Sequence, residues 1–311
     1  MAKQLNLFAE DNSEGPGLSE MSVQSSGSSS LFDVDLFDET AIPEHIGRTQ
    51  IFKAAKSQVL SPASGFMNDY DYTLNPYMGC QFGCAYCYAA FFVNAPERRE
   101  NWGGWVDVKT NALNEIRKKR NLLGKKIYMS SVTDPYQPIE GKIGLTRSIL
   151  ELLSCSEKQP RLVVQTRSPL STRDIDLMQR FDHIRVNMTV TTDSEAVRKR
   201  FEPSCPSNDV RMEAISKIKA AGIRVCVCIT PMLPLENPLL FARRLADIKA
   251  DMYVTQPFKP AQGRFSASTR QIAVDITQEY EWTERNYRSA FADMASILPH
   301  LYEGREGFMP E

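Results

Sequence analysis

From about residue 70 the chain alternates between two kinds of segment. Short apolar or β-branched runs occur at "KIYMSSVT" (126–133), "RLVVQTR" (161–167), "IRVNMTVT" (184–191), "IRVCVCIT" (223–230) and "DMYVTQPF" (251–258), and they predict strands. Amphipathic stretches lie between them, at "LTRSILELLS" (145–154), "TRDIDLMQRF" (172–181), "DVRMEAISKIKAAG" (209–222) and "LLFARRLADIK" (239–249), and these predict helices. Gly222 stands where a helix C-cap belongs, just ahead of a strand. Strand–helix alternation at this spacing implies parallel strands joined by right-handed crossovers. With a first strand near "YDYTLNP", the pattern gives about six βα units, enough for an open partial barrel and short of the eight of a closed one. The expected fold is therefore α/β, a partial (β/α)6 barrel. The segment from 266 onward predicts one or two further helices.

The beginning of the chain reads differently. Residues 1–47 are expected to form a disordered acidic tail, because "SVQSSGSSS" is low in complexity and its flanks are poor in aliphatic side chains. The expected organisation is thus tail (1–47), barrel (48–265) and C-terminal helical extension (266–311). Within the tail, "QLNLF" resembles the short segment by which many bacterial repair and replication proteins dock onto the sliding clamp. Gln4, Leu5, Leu7 and Phe8 would fill the clamp's pocket from a flexible tether; the alternative is a chance pentapeptide.

Charge changes the picture once it is split by region. The 311 residues carry 37 basic and 38 acidic side chains, but residues 1–45 hold nine of the acids and only one base, Lys3. The remainder has 36 basic against 29 acidic residues, a balance of +7. That balance suits an anionic partner such as DNA or another nucleic acid. The basic clusters "EIRKKRNLLGKK" (115–126) and "VRKRF" (197–201) are read individually as solvated helix faces. Hydrophobic content of 42% and charged content of 24% are ordinary for a soluble globular protein. No apolar run approaches the ~20 residues that span a bilayer, and "MAKQLNLFAED" has no secretory character. A cytoplasmic protein without membrane contact is expected. Disulfides are rare in that compartment, and seven cysteines, an odd number, argue against a disulfide framework.

Three of those cysteines, Cys80, Cys84 and Cys87, lie together in "MGCQFGCAYCY" (78–88), separated by three residues and then by two. Structural zinc usually takes four ligands in two separated pairs. Here a second pair is missing, and His45, His183 and His300 stand at no ligand spacing from one another. Cys226 and Cys228 alternate in an apolar run and read as core or barrel lining. Three thiolates in one loop after a strand fit an iron–sulfur cluster better than zinc. In a four-iron cubane they leave one iron without a protein ligand, the mark of a site that binds substrate or cofactor.

With Tyr86 just ahead of the third cysteine, this spacing resembles the signature of the radical S-adenosylmethionine (SAM) enzymes. The resemblance implies a [4Fe-4S] cluster on Cys80, Cys84 and Cys87, with SAM chelated at the unique iron. It implies reductive cleavage of SAM to a 5′-deoxyadenosyl radical, with an electron donor such as flavodoxin or ferredoxin. The nearer resemblance is to the spore photoproduct lyase-like, or DNA repair photolyase-like, branch. It is carried by "LNPYMGCQFGCAYCYA" (74–89), "SSVTDPYQPIE" (130–140), "VVQTRSPL" (163–170), "VNMTVTT" (186–192) and "GIRVCVCITPMLP" (222–234), in that order.

The resemblance and strand-end positions suggest further cofactor contacts. Tyr86 is expected near the adenine, and Thr133 and Asp134 at a C-terminal strand end, where α/β folds place ligands. Arg167 is expected to meet the cofactor carboxylate, and Thr189 to offer a hydroxyl. The sequence departs from that branch at the second strand, where a lyase has a hydrogen-donating cysteine and this chain has Ser130 or Ser131. Cys155, Cys226 and Cys228 are the candidate thiols to replace it. The function expected is a radical SAM enzyme acting on DNA or other nucleic acid. The alternatives are modification of RNA or protein by the same chemistry, or a non-enzymatic metal-binding module of a repair complex.

Overall fold

All six runs expected to be strands become strands. In the computed structural model, residues 37–119, 121–157, 159–260 and 269–310 are described, all within the unit Asp35–Glu311. The segment Gln4–Phe8 lies outside the described residues. Three short strands come first: β1 (His45–Ile46), β2 (Thr49–Lys53) and β3 (Leu60–Pro62). Strands β4 (Tyr72–Leu74) and β5 (Tyr77–Met78) lead into the cysteine loop, and α1 (Pro96–Glu100), β6 (Trp105–Val108) and α2 (Ala112–Lys118) follow it. Then come β7 (Lys126–Met129), α3 (Glu140–Ile143), α4 (Leu145–Ser154), β8 (Arg161–Thr166), α5 (Ile175–Met178) and β9 (Ile184–Thr189). The chain continues through α6 (Glu195–Phe201), α7 (Asn208–Ala220), β10 (Arg224–Met232), α8 (Pro238–Asp247) and β11 (Met252–Pro257). It ends with α9 (Gln271–Glu279), α10 (Glu284–Ala295) and β12 (Leu301–Glu303).

The main sheet runs β3-β4-β7-β8-β9-β10-β11-β12. Every neighbouring pair from β4 to β12 is parallel, and only β3 is antiparallel. The period-2 alternation of side chains divides its faces. Ile127, Met129, Leu162, Val164, Val186, Met188, Val225 and Val227 belong to one apolar core with helix residues such as Ile149, Ile215 and Leu245. Each such buried aliphatic side chain contributes roughly 1.5–3 kcal/mol. The opposite, inner face carries Tyr128, Val163, Cys226, Cys228 and Val254. Helix starts are set by short polar caps: Ser194, Ser207 and Asn237 accept main-chain N–H bonds at α6, α7 and α8. Gly222, at φ +81°, ends the α7 turn as its position in the sequence implied.

Three features depart from expectation. Residues 37–47, read as the end of the tail, are ordered: Phe37 is buried and β1 pairs antiparallel with β2. Strands β1, β2, β6 and β5 form a second, four-stranded sheet, whose two- to five-residue strands are too short to show a period. The C-terminal segment continues the alternation: α10 packs on α8 and β11, and β12 adds a parallel strand beyond β11. After it, a turn at Gly304–Phe308 closes the strand-start end of the inner face. There Tyr70 Oη donates to Phe308 O at 2.8 Å, and Arg185 Nη2 donates to Met309 O at 2.8 Å. Among the described residues no helix is long and apolar enough to cross a membrane.

Candidate radical-chemistry site

The cysteine loop begins at Gly79, at φ +80°, where the chain leaves β5 and passes against Trp105. A Cβ at residue 79 would lie 2.6 Å from Trp105 O and 2.8 Å from its ring, so a side chain here needs both a strained backbone and displaced neighbours. Gly79→Ala is expected to destabilise the fold by about 2 kcal/mol or more and to lower iron uptake. Thermal melting with an iron assay checks this; a variant that melts and loads like the parent means the loop is not held this way.

The loop is tied down by an exchange of two glutamines. Gln81 N donates to Gln137 Oε1 at 2.8 Å, and Ile139 N donates to Gln81 Oε1 at 2.6 Å. Thr133 Oγ1 donates to Gly79 O at 2.7 Å. On the other side Ala85 N donates to Phe201 O at 2.8 Å, fastening the loop to the end of α6. Cys80 and Cys84 are buried and Cys87 half-buried; all three are free thiols. Among the described residues, no three His, Cys, Asp or Glu side chains are gathered around a metal-sized point. Burial pushes the Cys80 thiol well up, and the charges of Asp134, Cys84 and Cys87 add to that. Burial likewise pushes Cys87 up to about 11. Cys84 goes the other way: a bond from the Cys205 thiol, 3.7 Å away, and the Arg167 charge favour its thiolate against burial. A soft donor set of three thiols in one loop, with a guanidinium on one of them, fits an iron–sulfur cluster.

Arg167, just beyond β8, is the hub of the site. Its Nη1 donates to Cys84 Sγ at 3.0 Å, Tyr86 Oη at 2.7 Å and Glu202 Oε1 at 3.1 Å. Glu202, wholly buried, also accepts from Tyr86 Oη, from Thr191 Oγ1 at 3.0 Å and from Arg211 Nη2 at 2.5 Å. Burial opposes its charge, but Arg211 and Arg167 outweigh it and hold the carboxyl down to about 2. Asp134 sets the backbone of Arg167: its carboxylate accepts from Arg167 N at 2.9 Å, Thr166 Oγ1 at 2.7 Å and Tyr136 N at 2.9 Å.

Of the residues expected beside the cofactor, Arg167 therefore meets Cys84, Tyr86 and Asp134 meet Arg167, and Thr133 supports the loop's start. Thr189 lies apart on the inner face, accepting from Gln165 Nε2 at 2.7 Å. Tyr86 presents its hydroxyl to Glu202 and its ring to the Arg167 guanidinium, 5.8 Å from the centroid. The sequence reading missed Gln81, Gln137, Glu202, Cys205 and Arg211. It also took "VRKRF" for a solvated face, whereas Val197, Arg198 and Phe201 are buried. Arg198 Nη1 donates to the carbonyls of Glu202 and Cys205 at 3.0 and 2.8 Å, which draws this arginine inward. The adjacent acid in "RFEPSC" was the available signal. Of the spare thiols, Cys155 is exposed at the end of α4, while Cys226 and Cys228 lie on the inner face.

A loop of three thiols at the C-terminal edge of a parallel α/β sheet defines a class, and the family model agrees. The radical SAM superfamily matches residues 74–239, more than half of the chain, and the chain belongs to it. Membership of that family implies SAM and an iron–sulfur cluster. An uncharacterised protein of Methanocaldococcus jannaschii is 37% identical over 187 residues, 60% of this chain and 66% of the relative; the chain spans just under two thirds of such relatives. The radical SAM Nα-GlyT isomerase of Pseudomonas phage M6 is 27% identical over 165 residues, 51% of this chain and 32% of that protein. Among solved structures, spore photoproduct lyase superposes with a TM-score of 0.57 at 16% identity, covering 85% of this chain and 86% of that one. The fold is thus that of spore photoproduct lyase.

Proposed function

We propose that this enzyme holds a [4Fe-4S] cluster on Cys80, Cys84 and Cys87 and starts radical chemistry on a nucleic-acid base. The observation that carries the reading is the Arg167 guanidinium at 3.0 Å from Cys84 Sγ, at the C-terminal edge of the sheet. When bound, the cluster supplies the electron that cleaves SAM to methionine and a 5′-deoxyadenosyl radical. The chain's own residues orient and enclose. Arg167 is a fixed cation for a carboxylate beside the loop; Glu202 and Asp134 set its direction. Gln81, Gln137 and Thr133 keep the loop against β7.

Between this edge and the Arg185 guanidinium at the strand-start end, the inner face carries a neutral, hydrogen-bonding row. Tyr128 Oη donates to Gln165 Oε1 at 2.7 Å, and Gln165 in turn donates to Thr189. Such a row suits a base edge better than a charged group. The order of the spore photoproduct lyase-like motifs, the dinucleoside spore photoproduct bound in a solved lyase structure and the +7 body also support a nucleic-acid substrate. The Gln4–Phe8 segment would tether the enzyme to a clamp. Ser130 or Ser131 stands where a lyase has its thiol, and an O–H bond is too strong to return a hydrogen atom readily to a carbon radical. Base modification is therefore the preferred reaction over thymine-dimer reversal. The test is anaerobic turnover with deuterated oligonucleotides, RNA and peptides. Deuterium is expected in 5′-deoxyadenosine from an oligonucleotide; transfer from peptides alone, or stoichiometric zinc with no SAM cleavage, would sink the reading.

A further inference from the structure

Beside the cysteine loop the protein exposes aromatic surface that its fold does not need. The turn Tyr88–Phe92 directly follows Cys87. Phe92 is 64% exposed and Tyr88 38% exposed, and their rings pack edge to face at 6.0 Å. Tyr88 is fixed by its hydroxyl, which donates to Ser131 O, so the pair is a rigid platform and not a loose surface. Exposed aromatic side chains are ordinary singly; a fixed pair at the mouth of a site is not.

Two arginines border this platform. Arg99, on α1, lies over the Phe91 ring at 5.5 Å and donates from Nη2 to Val93 O at 3.0 Å. Arg270, at the start of α9, donates from Nη2 to Glu100 O at 3.3 Å and lies within electrostatic range of Cys87 and Cys84. Among the described residues, neither guanidinium has a carboxylate partner, in contrast to Arg98, which is paired with Asp107 at 2.8 Å. The opposing charges are Glu97 and Glu100, both exposed on α1. Flat π surface flanked by unpaired guanidinium groups is the chemistry that holds single-stranded nucleic acid, with bases stacked and phosphates paired.

We infer that Tyr88, Phe92, Arg99 and Arg270 form a docking rim for a single-stranded nucleic-acid segment, which delivers one base past Cys87 to the inner face. This rests on the nucleic-acid reading above and adds a location and a strand state to it. A base can reach a buried site only out of its stack, so a rim that holds the flanking nucleotides single-stranded serves the same enzyme. A duplex offers its phosphates but not its base faces, and Phe92 has nothing to stack on there.

The experiment titrates the full-length protein into fluorescein-labelled oligothymidylate of about 20 nucleotides, single-stranded or annealed, across a salt series. The single strand is expected to bind more tightly than the duplex. Phe92→Ala should weaken single-strand binding roughly tenfold and leave duplex binding in place. Arg99→Gln and Arg270→Gln should each lower the slope of log affinity against log salt by about 0.7, and Glu100→Gln should tighten binding. Far-UV circular dichroism and melting of each variant separate a lost contact from a lost fold. If the parent binds single strands and these variants bind equally well with unchanged slopes, the rim is wrong and the nucleic-acid reading stands. If the parent binds no oligonucleotide at low salt, both fall.

Discussion

Replacement of Cys84 by alanine is expected to abolish SAM cleavage and most iron binding, whereas replacement of Cys205 is not. Both sulfurs are buried and 3.7 Å apart, so proximity alone does not say which is the ligand. The difference lies in what holds each one. Cys84 sits in the loop fastened by Gln81, Gln137 and Ala85, and its sulfur accepts the Arg167 bond that favours a thiolate. Cys205 follows α6, and burial pushes its thiol up, as suits a neighbour that stays protonated and donates to the ligand. Loss of groups around a metal ligand typically costs roughly 10–100-fold in affinity or activity. Loss of the ligand should exceed that range, with iron per chain falling together with the cluster's absorbance. Cys205→Ala should keep its iron and shift only the reduction potential, because a hydrogen bond to a cluster sulfur is one of the terms that set it. Equal iron loss in both variants would mean that Cys205 is a ligand and that the three-residue spacing misidentified the set.

That pair also marks how far the sequence could be read. The six parallel strands were legible because they are short apolar or β-branched runs set between amphipathic stretches, and the cysteine loop because three thiols at fixed spacing are rare by chance. Both signals are local. Glu202 and Arg211 carry no local signal: one lies in a short turn after a basic helix, the other on α7, and only folding brings them to 2.5 Å. The same holds for Gln81 and Gln137, which are 56 residues apart and meet because β5 and β7 bring their loops together. The four-stranded sheet was missed for a different reason, since β1 and β5 have two residues each and no alternation can be read from two positions. Strand-end residues such as Asp134 and Arg167 could be placed at the site by their register. What each would touch depends on partners that the local pattern does not contain.

Glu202→Gln is expected to destabilise the protein by about 3–5 kcal/mol at neutral pH, the usual result of removing one member of a buried ion pair. The amide fills the same space, so the effect isolates charge. It leaves Arg211, fully enclosed, and Arg167, mostly enclosed, facing a neutral group that cannot accept as many bonds. The pH dependence fixes the sign. The carboxyl lies near 4.5 when unfolded and about 2 when folded, so its stabilisation is fully present above the unfolded value and is lost as pH falls through the folded one. That shift corresponds to roughly 3 kcal/mol. Urea denaturation should therefore show a wide gap between parent and Glu202→Gln at pH 7 that narrows steadily from about pH 4.5 toward pH 2. Glu213→Gln, which removes the exposed pair with Lys217, should leave the midpoint nearly in place at every pH. A Glu202→Gln gap that is small at pH 7, or that does not change with acid, would mean that Arg167 and Arg211 are not held by this carboxylate. Arg167 would then owe its position beside Cys84 to Asp134 and Tyr86.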